Sequence, residues 1–296
     1  MRVPSKTIYD MVTFHLGNIS EELNIANEIV TTTKRINDLS DDPVGLTQAL
    51  NIKSSLAGIM QLERNITMGK SWLTASESAL SQVQDLISDT KSLCVKMSTA
   101  TTGASERAAA AQIVQNTMDE IISLANTEVN GRYVFAGSET DTAPFSQNGA
   151  YNGDNNAFTI KIGKDATIVV GCDGEAVFQP SGAGSGDDIF QTLSDLKTVL
   201  ENNNISGIQD AMTKLDNHID YISTRVSDIG SKMLRMEIKE KVFQDLNITN
   251  TDRLSKIEDA DITEAIINLK EKEMAYQAAL ASSSKVMSLS LVDYLK

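Results

Sequence analysis

Residues 208–233 read IQDAMTKLDNHIDYISTRVSDIGSKM. Ile208, Leu215, Ile222 and Ile229 recur at seven-residue spacing, a series that Met236 and Phe243 extend. Met212, Ile219, Val226 and Met233 form a second series offset by four. Steps of four and three keep apolar side chains on one side of a helix, which is the pattern of a seam buried against other helices. Gly230 sits inside the run, and its cost of about 1 kcal/mol relative to Ala is too small to end the helix.

Toward the N-terminus the pattern repeats. Ile52, Ile59, Ile66, Leu73, Leu80, Ile87 and Cys94 are spaced by seven, with Leu56, Leu62, Val83 and Met97 at offsets of three or four. Glu63, Lys70, Glu77 and Lys91 fall elsewhere on the cylinder. The spacing predicts a helix of about 55 residues, roughly 80 Å long at the α-helical rise. Thr101-Thr102-Gly103 breaks it, and Ser105-Glu106 with an alanine run opens another helix reaching about Thr127. Proline marks the same gaps: Pro4, Pro43, Pro144 and Pro180 leave three long stretches free for helix.

Both extremities carry thinner stripes. Val12, Leu16, Ile19, Leu23, Ala26 and Val30 line one. Ile262, Ile266, Leu269, Tyr276, Leu280, Met287 and Tyr294 line the other, with polar interruptions at Glu273, Ser283 and Ser290. A single pair of thin helices encloses little core, so these stripes predict burial against neighbouring copies or another chain. Residues 1–40 and 255–296 are expected to be mobile in the free monomer, because partial burial does not offset ordering entropy.

Between Gly131 and Gly186 the texture changes to ten of the seventeen glycines and two of the four prolines. Tyr133-Val134-Phe135, Ala157–Ile162 and Ala166–Val170 read as short strands, with Gly163-Lys164-Asp165 as a hairpin turn between the last two. Ser181–Gly186 reads as a flexible return to helix. The expected fold is mainly α: a long antiparallel coiled-coil helical rod with a small β-rich insert, in the order helix, helix, helix, insert, helix, helix. Its parts are terminal assembly helices (1–44 and 251–296), a rod (45–130 and 187–250) and the insert (131–186).

A net charge of −14 and a pI near 4.6 argue against a phosphate-binding surface and equally against docking on anionic membranes, so neither nucleic acid nor membrane is an expected partner. No run approaches the ~18 apolar residues of a membrane span. The start, Met1–Lys6, leads into an amphipathic segment and not an apolar signal core. Cys94 lies on an apolar stripe and reads as a small buried hydrophobe; Cys172 lies in a Gly-rich segment, and no disulfide is expected. Gly69-Lys70-Ser71 resembles the tail of a phosphate loop, but Arg64 stands where that loop needs glycine. His15 and His218 read as helix-surface residues, and with two cysteines they form no metal-ligand spacing, so no metal, cofactor or catalytic cluster is expected. Asp38–Pro43 is acidic without the alternating calcium-loop pattern; it reads as a loop and helix start, with Pro43 in the first turn and carboxylates at the positive end of the dipole.

Several of these segments are specific together. Lys34-Arg35-Ile36-Asn37-Asp38-Leu39-Ser40-Asp41-Asp42-Pro43-Val44-Gly45-Leu46 resembles the signature that follows the first helix in the flagellin superfamily. Arg64-Asn65-Ile66, Glu77–Leu80, Asp259–Ala265 and Tyr276–Leu280 continue the likeness. Arg35, Asp41, Asp42 and Pro43, with Val44 after them, resemble its hook-filament junction branch, where filament flagellins usually have Ala after the double Asp. Ala125–Gly137, containing Asn130, Gly131, Arg132 and Tyr133, and Asp141–Phe145 are similar to the same branch. That resemblance implies a structural, non-enzymatic protein of the bacterial flagellum, secreted unfolded by type III export. It implies as partners the other hook-associated junction protein, flagellin, copies of itself in a ring, and an export chaperone. Filament flagellin, another coiled-coil type III secreted protein and a flagellum-associated hydrolase are the competing readings.

Overall fold

The computed structural model describes residues 5–99, 101–156, 158–182, 184 and 188–294, with the side chains of 5, 6, 8 and 286–294 outside the described part. In chain order the elements are α1 (Ser5–Thr32), α2 (Pro43–Met97), α3 (Ala104–Ala125), β1 (Glu128–Val129), β2 (Arg132–Tyr133), β3 (Thr159–Lys161), β4 (Thr167–Val169), α4 (Gly174–Phe178), α5 (Ile189–Glu201), α6 (Ile205–Glu258) and α7 (Ile262–Tyr294). The fold is mainly α with two small antiparallel hairpins, and α2 has the 55 residues that its heptads require. The chain forms two compact units, residues 59–244 and residues 1–58 with 245–296.

The core of the 59–244 unit is the heptad seam. Ile59, Ile66, Leu73, Leu80, Ile87 and Cys94 of α2 are buried in one cluster with Ile208, Leu215, Ile222, Ile229, Met236 and Phe243 of α6. The second α6 series, Met212, Ile219, Val226 and Met233, packs half-buried beside it. Lys70 meets Glu240 at 2.8 Å and Lys91 meets Asp216, which fixes the two helices antiparallel. Short α3 and α5 close one end. Val114, Ile121 and Ala125 of α3 pack with Leu193, Leu196 and Leu200 of α5 in the same cluster. Glu106 caps the start of α3 by accepting the Gly103 N–H at 2.5 Å. Asp188 caps α5, accepting from Phe190 and Gln191.

Arg107 is a buried cation at this end, 3% exposed. It donates to the Met97 carbonyl (2.8 Å) and the Thr99 carbonyl (2.9 Å) at the end of α2, and to Asn203 between α5 and α6. Carbonyls at a helix C-terminus carry the negative end of the dipole, so the guanidinium is solvated by the orphan acceptors it covers.

Two elements differ from the sequence expectation. The helix expected over 187–250 is interrupted at Asn202-Asn203-Asn204, where Asn203 takes φ 55°. Asparagine tolerates that left-handed conformation because its short side chain bonds locally. The interruption folds α5 back along α6 and covers His218, which is 6% exposed and within 3.1 Å of Thr192 Oγ1. His218 is therefore a core residue, not the surface residue its neighbours suggested; His15 is exposed as expected. The strand expected at Tyr133–Phe135 is confined to Arg132–Tyr133. Val134 and Phe135 instead run beside residues 172–174, accepting from Cys172 (3.4 Å) and Gly174 (2.9 Å).

The β3–β4 hairpin forms as the turn at Gly163-Lys164-Asp165 predicts, with Ile160 opposite Ile168. Ala157, at the edge of that expected strand, and part of the Ser181–Gly186 return lie outside the described residues. Ile160 and Val170 sit directly on α2 at Gly69: a Cβ there would lie 2.4 Å from Ile160 Cδ1 and 2.8 Å from Met236 Cε. Trp72 meets Phe158 at 5.3 Å, and Asn65 donates to the Lys161 carbonyl at 3.0 Å. Gly69 is thus a helix-hairpin contact, Lys70 is occupied by Glu240, and the phosphate-loop likeness is structural in origin. Phe135, Phe145, Tyr151 and Phe178 form the aromatic centre of the insert, with Phe178 edge-to-face to Phe135 and Phe145 at 5.3 Å and Phe190 of α5 packed beside Phe145.

Candidate assembly surfaces

The terminal unit is built around α1 and α7. They run antiparallel: the Thr33 carbonyl accepts from Ala260 at 3.1 Å, and farther along Lys272 reaches Glu22 at 2.6 Å. On α1 the expected stripe faces inward. Ala26 is 4% exposed, and Val12, Leu16, Ile19, Leu23 and Val30 are half-buried. On α7 the inward face holds Ala265, Leu269, Tyr276 and Ala279. Ile262, Ile266 and Leu280 of the expected stripe are instead exposed at 38%, 45% and 44%. The phase is shifted because α7 carries apolar residues around much of its circumference, Ile267 and Met274 included, so several stripes fit the sequence. Met287 and Tyr294 lie on α7 with side chains outside the described residues.

The outer surface of this pair carries several large apolar side chains among its polar residues. Tyr9, Met11, Phe14 and Ile25 of α1 are exposed, Phe14 at 65%. On α7, Ile266, Ile267, Met274 and Leu280 are exposed as well. Large apolar side chains left exposed on both helices are the feature that marks an interaction surface.

The loop between α1 and α2 explains the first signature. Asp42 Oδ1 accepts the Gly45 N–H at 2.8 Å, capping α2 at Pro43 as the sequence predicts. Asp41 accepts the Asn37 and Asp38 amides at 3.0 and 2.9 Å, and those backbone bonds hold its carboxyl below the ordinary carboxylate range. A Cβ on Gly45 would stand 2.4 Å from Asp42 and 2.7 Å from Ile36, so a larger residue would push the capping carboxylate aside. Arg35 ties the loop to the end of α6: its amide donates to the Glu258 carbonyl (2.7 Å) and its guanidinium to the Ile257 carbonyl (2.9 Å). Glu258, 6% exposed, meets Lys34 at 2.6 Å and Lys53 at 2.8 Å. Burial works against its charge, but the hydrogen bonds and charges of the two lysines prevail and its pKa lies below normal.

The second signature is a hairpin. Asn130 and Gly131 take φ 54° and 76° between β1 and β2, with Val129 opposite Arg132 and Glu128 opposite Tyr133. Positive φ at both turn residues is what a two-residue type I′ hairpin demands, and Asn-Gly is its preferred dipeptide. The Asn-Gly dipeptide is itself the sequence signal for this turn.

The cavities among the described residues are small and bounded largely by groups that already have partners. One of about 190 Å³ is lined by Cys172, Arg225, Asp228 and Lys232, but Lys232 already pairs with Asp228 at 2.7 Å. Burial pushes the Cys94 thiol up to about 11 and raises Cys172 as well, so both are poor nucleophiles. Among the described residues no group of three or more His, Cys, Asp or Glu is placed to hold a metal, and no helix is long and apolar enough to cross a membrane.

These features define a helical structural subunit whose terminal helix pair presents an uncovered apolar surface. Two family models match it: the bacterial flagellin N-terminal helical region over residues 9–140 and the flagellin C-terminal helical region over residues 212–295. Together they span well over half of the sequence, and the chain belongs to the flagellin family. It is 27% identical to flagellar hook-associated protein 3 of Salmonella typhimurium, over 98% of each chain. Its likeness to phase 1 flagellin of Salmonella naestved, at 28% identity, covers only 58% of this chain and 34% of that one. The solved structure of Bacillus cereus FlgL matches with a TM-score of 0.61 and 23% identity over 69% of this chain and 99% of that one.

Proposed function

We propose that this chain is the structural subunit that joins the hook-side junction protein to the flagellin filament of a bacterial flagellum. The observation that carries this reading is the full-length similarity to a hook-associated protein, against partial similarity to a filament flagellin. The placement of Arg35, Asp41, Asp42 and Pro43 in one wired loop, and of Asn130–Tyr133 in one hairpin, supports it, since both signatures have a structural purpose here. The role is mechanical, with no catalytic step.

The apolar surface of α1 and α7 is the polymerisation surface in this reading. Neighbouring copies in a ring cover it, and flagellin and the other junction protein meet the ring on either side. Before export a cytoplasmic chaperone covers the same kind of surface. Burying a Leu or Ile is worth roughly 1.5–3 kcal/mol, so a handful of exposed residues is enough to drive association. Deleting the gene tests the function: hooks should export flagellin into the medium without growing filaments, and normal filaments on the deletion strain would refute it. Leu280→Asp tests the surface, since it should leave helix content unchanged while abolishing incorporation into the junction.

A further inference from the structure

Three Asn-Gly pairs lie in the insert region: Asn130-Gly131, Asn148-Gly149 and Asn152-Gly153. Glycine after asparagine leaves the following amide nitrogen sterically open to the asparagine side-chain carbon. Asparagine is for that reason a chemically labile residue, but only where the backbone can rotate.

The fold constrains the three pairs unequally. The Gly149 amide donates to the Ser146 carbonyl at 2.9 Å, and Phe190 fills the space a Cβ would take at 2.8 Å. The Gly149 carbonyl is held by Gln179. The Asn152 amide is bound to the Pro144 carbonyl at 2.7 Å, and Gly153 is closely packed, since a Cβ there would lie 2.5 Å from Tyr151 Oη and 2.9 Å from the Ala136 carbonyl. Gly131 has nothing within 4 Å of its Cβ position, and Asn130 is exposed. The hairpin that holds that pair has only two residue pairs, which is too short to resist local opening.

We propose that Asn130 is a site of spontaneous deamidation and backbone isomerisation, selected over Asn148 and Asn152 by the fold. The Gly131 amide nitrogen, giving its proton to solvent base, attacks Asn130 Cγ; the C–N bond to Nδ2 breaks and ammonia leaves, closing a five-membered imide. Water then opens the ring. Attack at the side-chain carbonyl gives Asp, and attack at the backbone carbonyl gives an isoaspartyl linkage that carries the chain through Cγ. The second product inserts a carbon into a two-residue turn and adds a negative charge near Glu128, so the hairpin cannot re-form in its original register.

The test is to age the purified full-length protein in mildly alkaline buffer and map peptides by mass, with enzymatic methylation of isoaspartyl groups as the second readout. Asn130 should convert at least about tenfold faster than Asn148 or Asn152, because its local opening is cheaper. In denaturant the three pairs should react at similar rates. Asn130→Gln should remove the isoaspartyl signal from the folded protein. Equal rates at all three pairs in the folded protein, protection of Asn130 relative to denaturant by as much as the others, or a persisting signal in the variant would each overturn the proposal.

Discussion

The two units use one repeat in opposite ways. Residues 59–244 spend their heptads internally, so that both seams and the insert share a continuous buried cluster. Residues 1–58 and 245–296 bury only Ala26, Ile36, Ala49, Ile52 and Leu56 among their described apolar residues, and leave Tyr9, Met11, Phe14, Ile25, Ile266, Ile267, Met274 and Leu280 exposed. The terminal unit adds only the start of α2 and the end of α6 to the α1–α7 pair, whereas four helices and a hairpin enclose a volume in the other. The difference teaches that a repeat is not a core: the same spacing yields a finished body in one region and an unfinished surface in the other.

The largest test of that contrast is cavity creation. Leu73→Ala, at a fully buried position, should cost about 2–5 kcal/mol, whereas Ile266→Ala should cost less than about 0.5 kcal/mol; thermal unfolding followed by far-UV ellipticity measures both. Comparable losses at the two positions would break the comparison. Glycine gives a finer probe. Gly69→Ala should destabilise by about 1–3 kcal/mol, since the methyl meets Ile160 and Met236, while Gly230→Ala has open space and should stabilise by about 0.5–1 kcal/mol. Chemical denaturation of the two variants reads the opposite signs.

Smaller again is the ionic latch of the terminal unit. Glu258→Gln should cost about 1 kcal/mol, because Lys34 and Lys53 are near 40% exposed and are partly screened by water. Its carboxyl is depressed in the fold, so the contribution is present above the ordinary Glu value and is lost as pH falls through the lower folded value. The raised pKa of Lys34, which comes first from its hydrogen bond to Glu258, gives the mirror effect: its contribution is lost as pH rises through the elevated folded value. The single tryptophan, Trp72, is buried in the other unit and serves as an internal control. Mild acid should increase amide exchange around residues 33–45 before Trp72 emission changes, and simultaneous change would merge the two units into one cooperative body.

What the sequence made legible follows from the same physics. The seams of α2 and α6 were readable because every seventh residue is buried in the chain's own fold, so composition and contact agree. Cys94 is buried on that seam as the spacing required. The phase of α7 was not readable, since Leu269 and Tyr276 belong equally to the stripe through Ile266 and to the one through Ala265. Burial of His218 depends on α5 folding back, a long-range event that local spacing does not encode. The Asn202-Asn203-Asn204 break carries neither proline nor glycine, so only asparagine's tolerance of positive φ marks it in the sequence. Each signature loop was recognisable as a string, while its purpose emerged only from the bonds of Arg35, Asp42 and the Asn130-Gly131 turn.

Arg107 sets an order on how the molecule is made. Its guanidinium grips the end of α2 and the bend after α5, residues separated by about a third of the chain. A ribosome that has delivered only the first half leaves this cation without its Asn203 acceptor, and α3 without the partner helix that covers it. Closure at that end therefore waits on the emergence of α5 and Asn203, a clasp that engages late in the making of the chain.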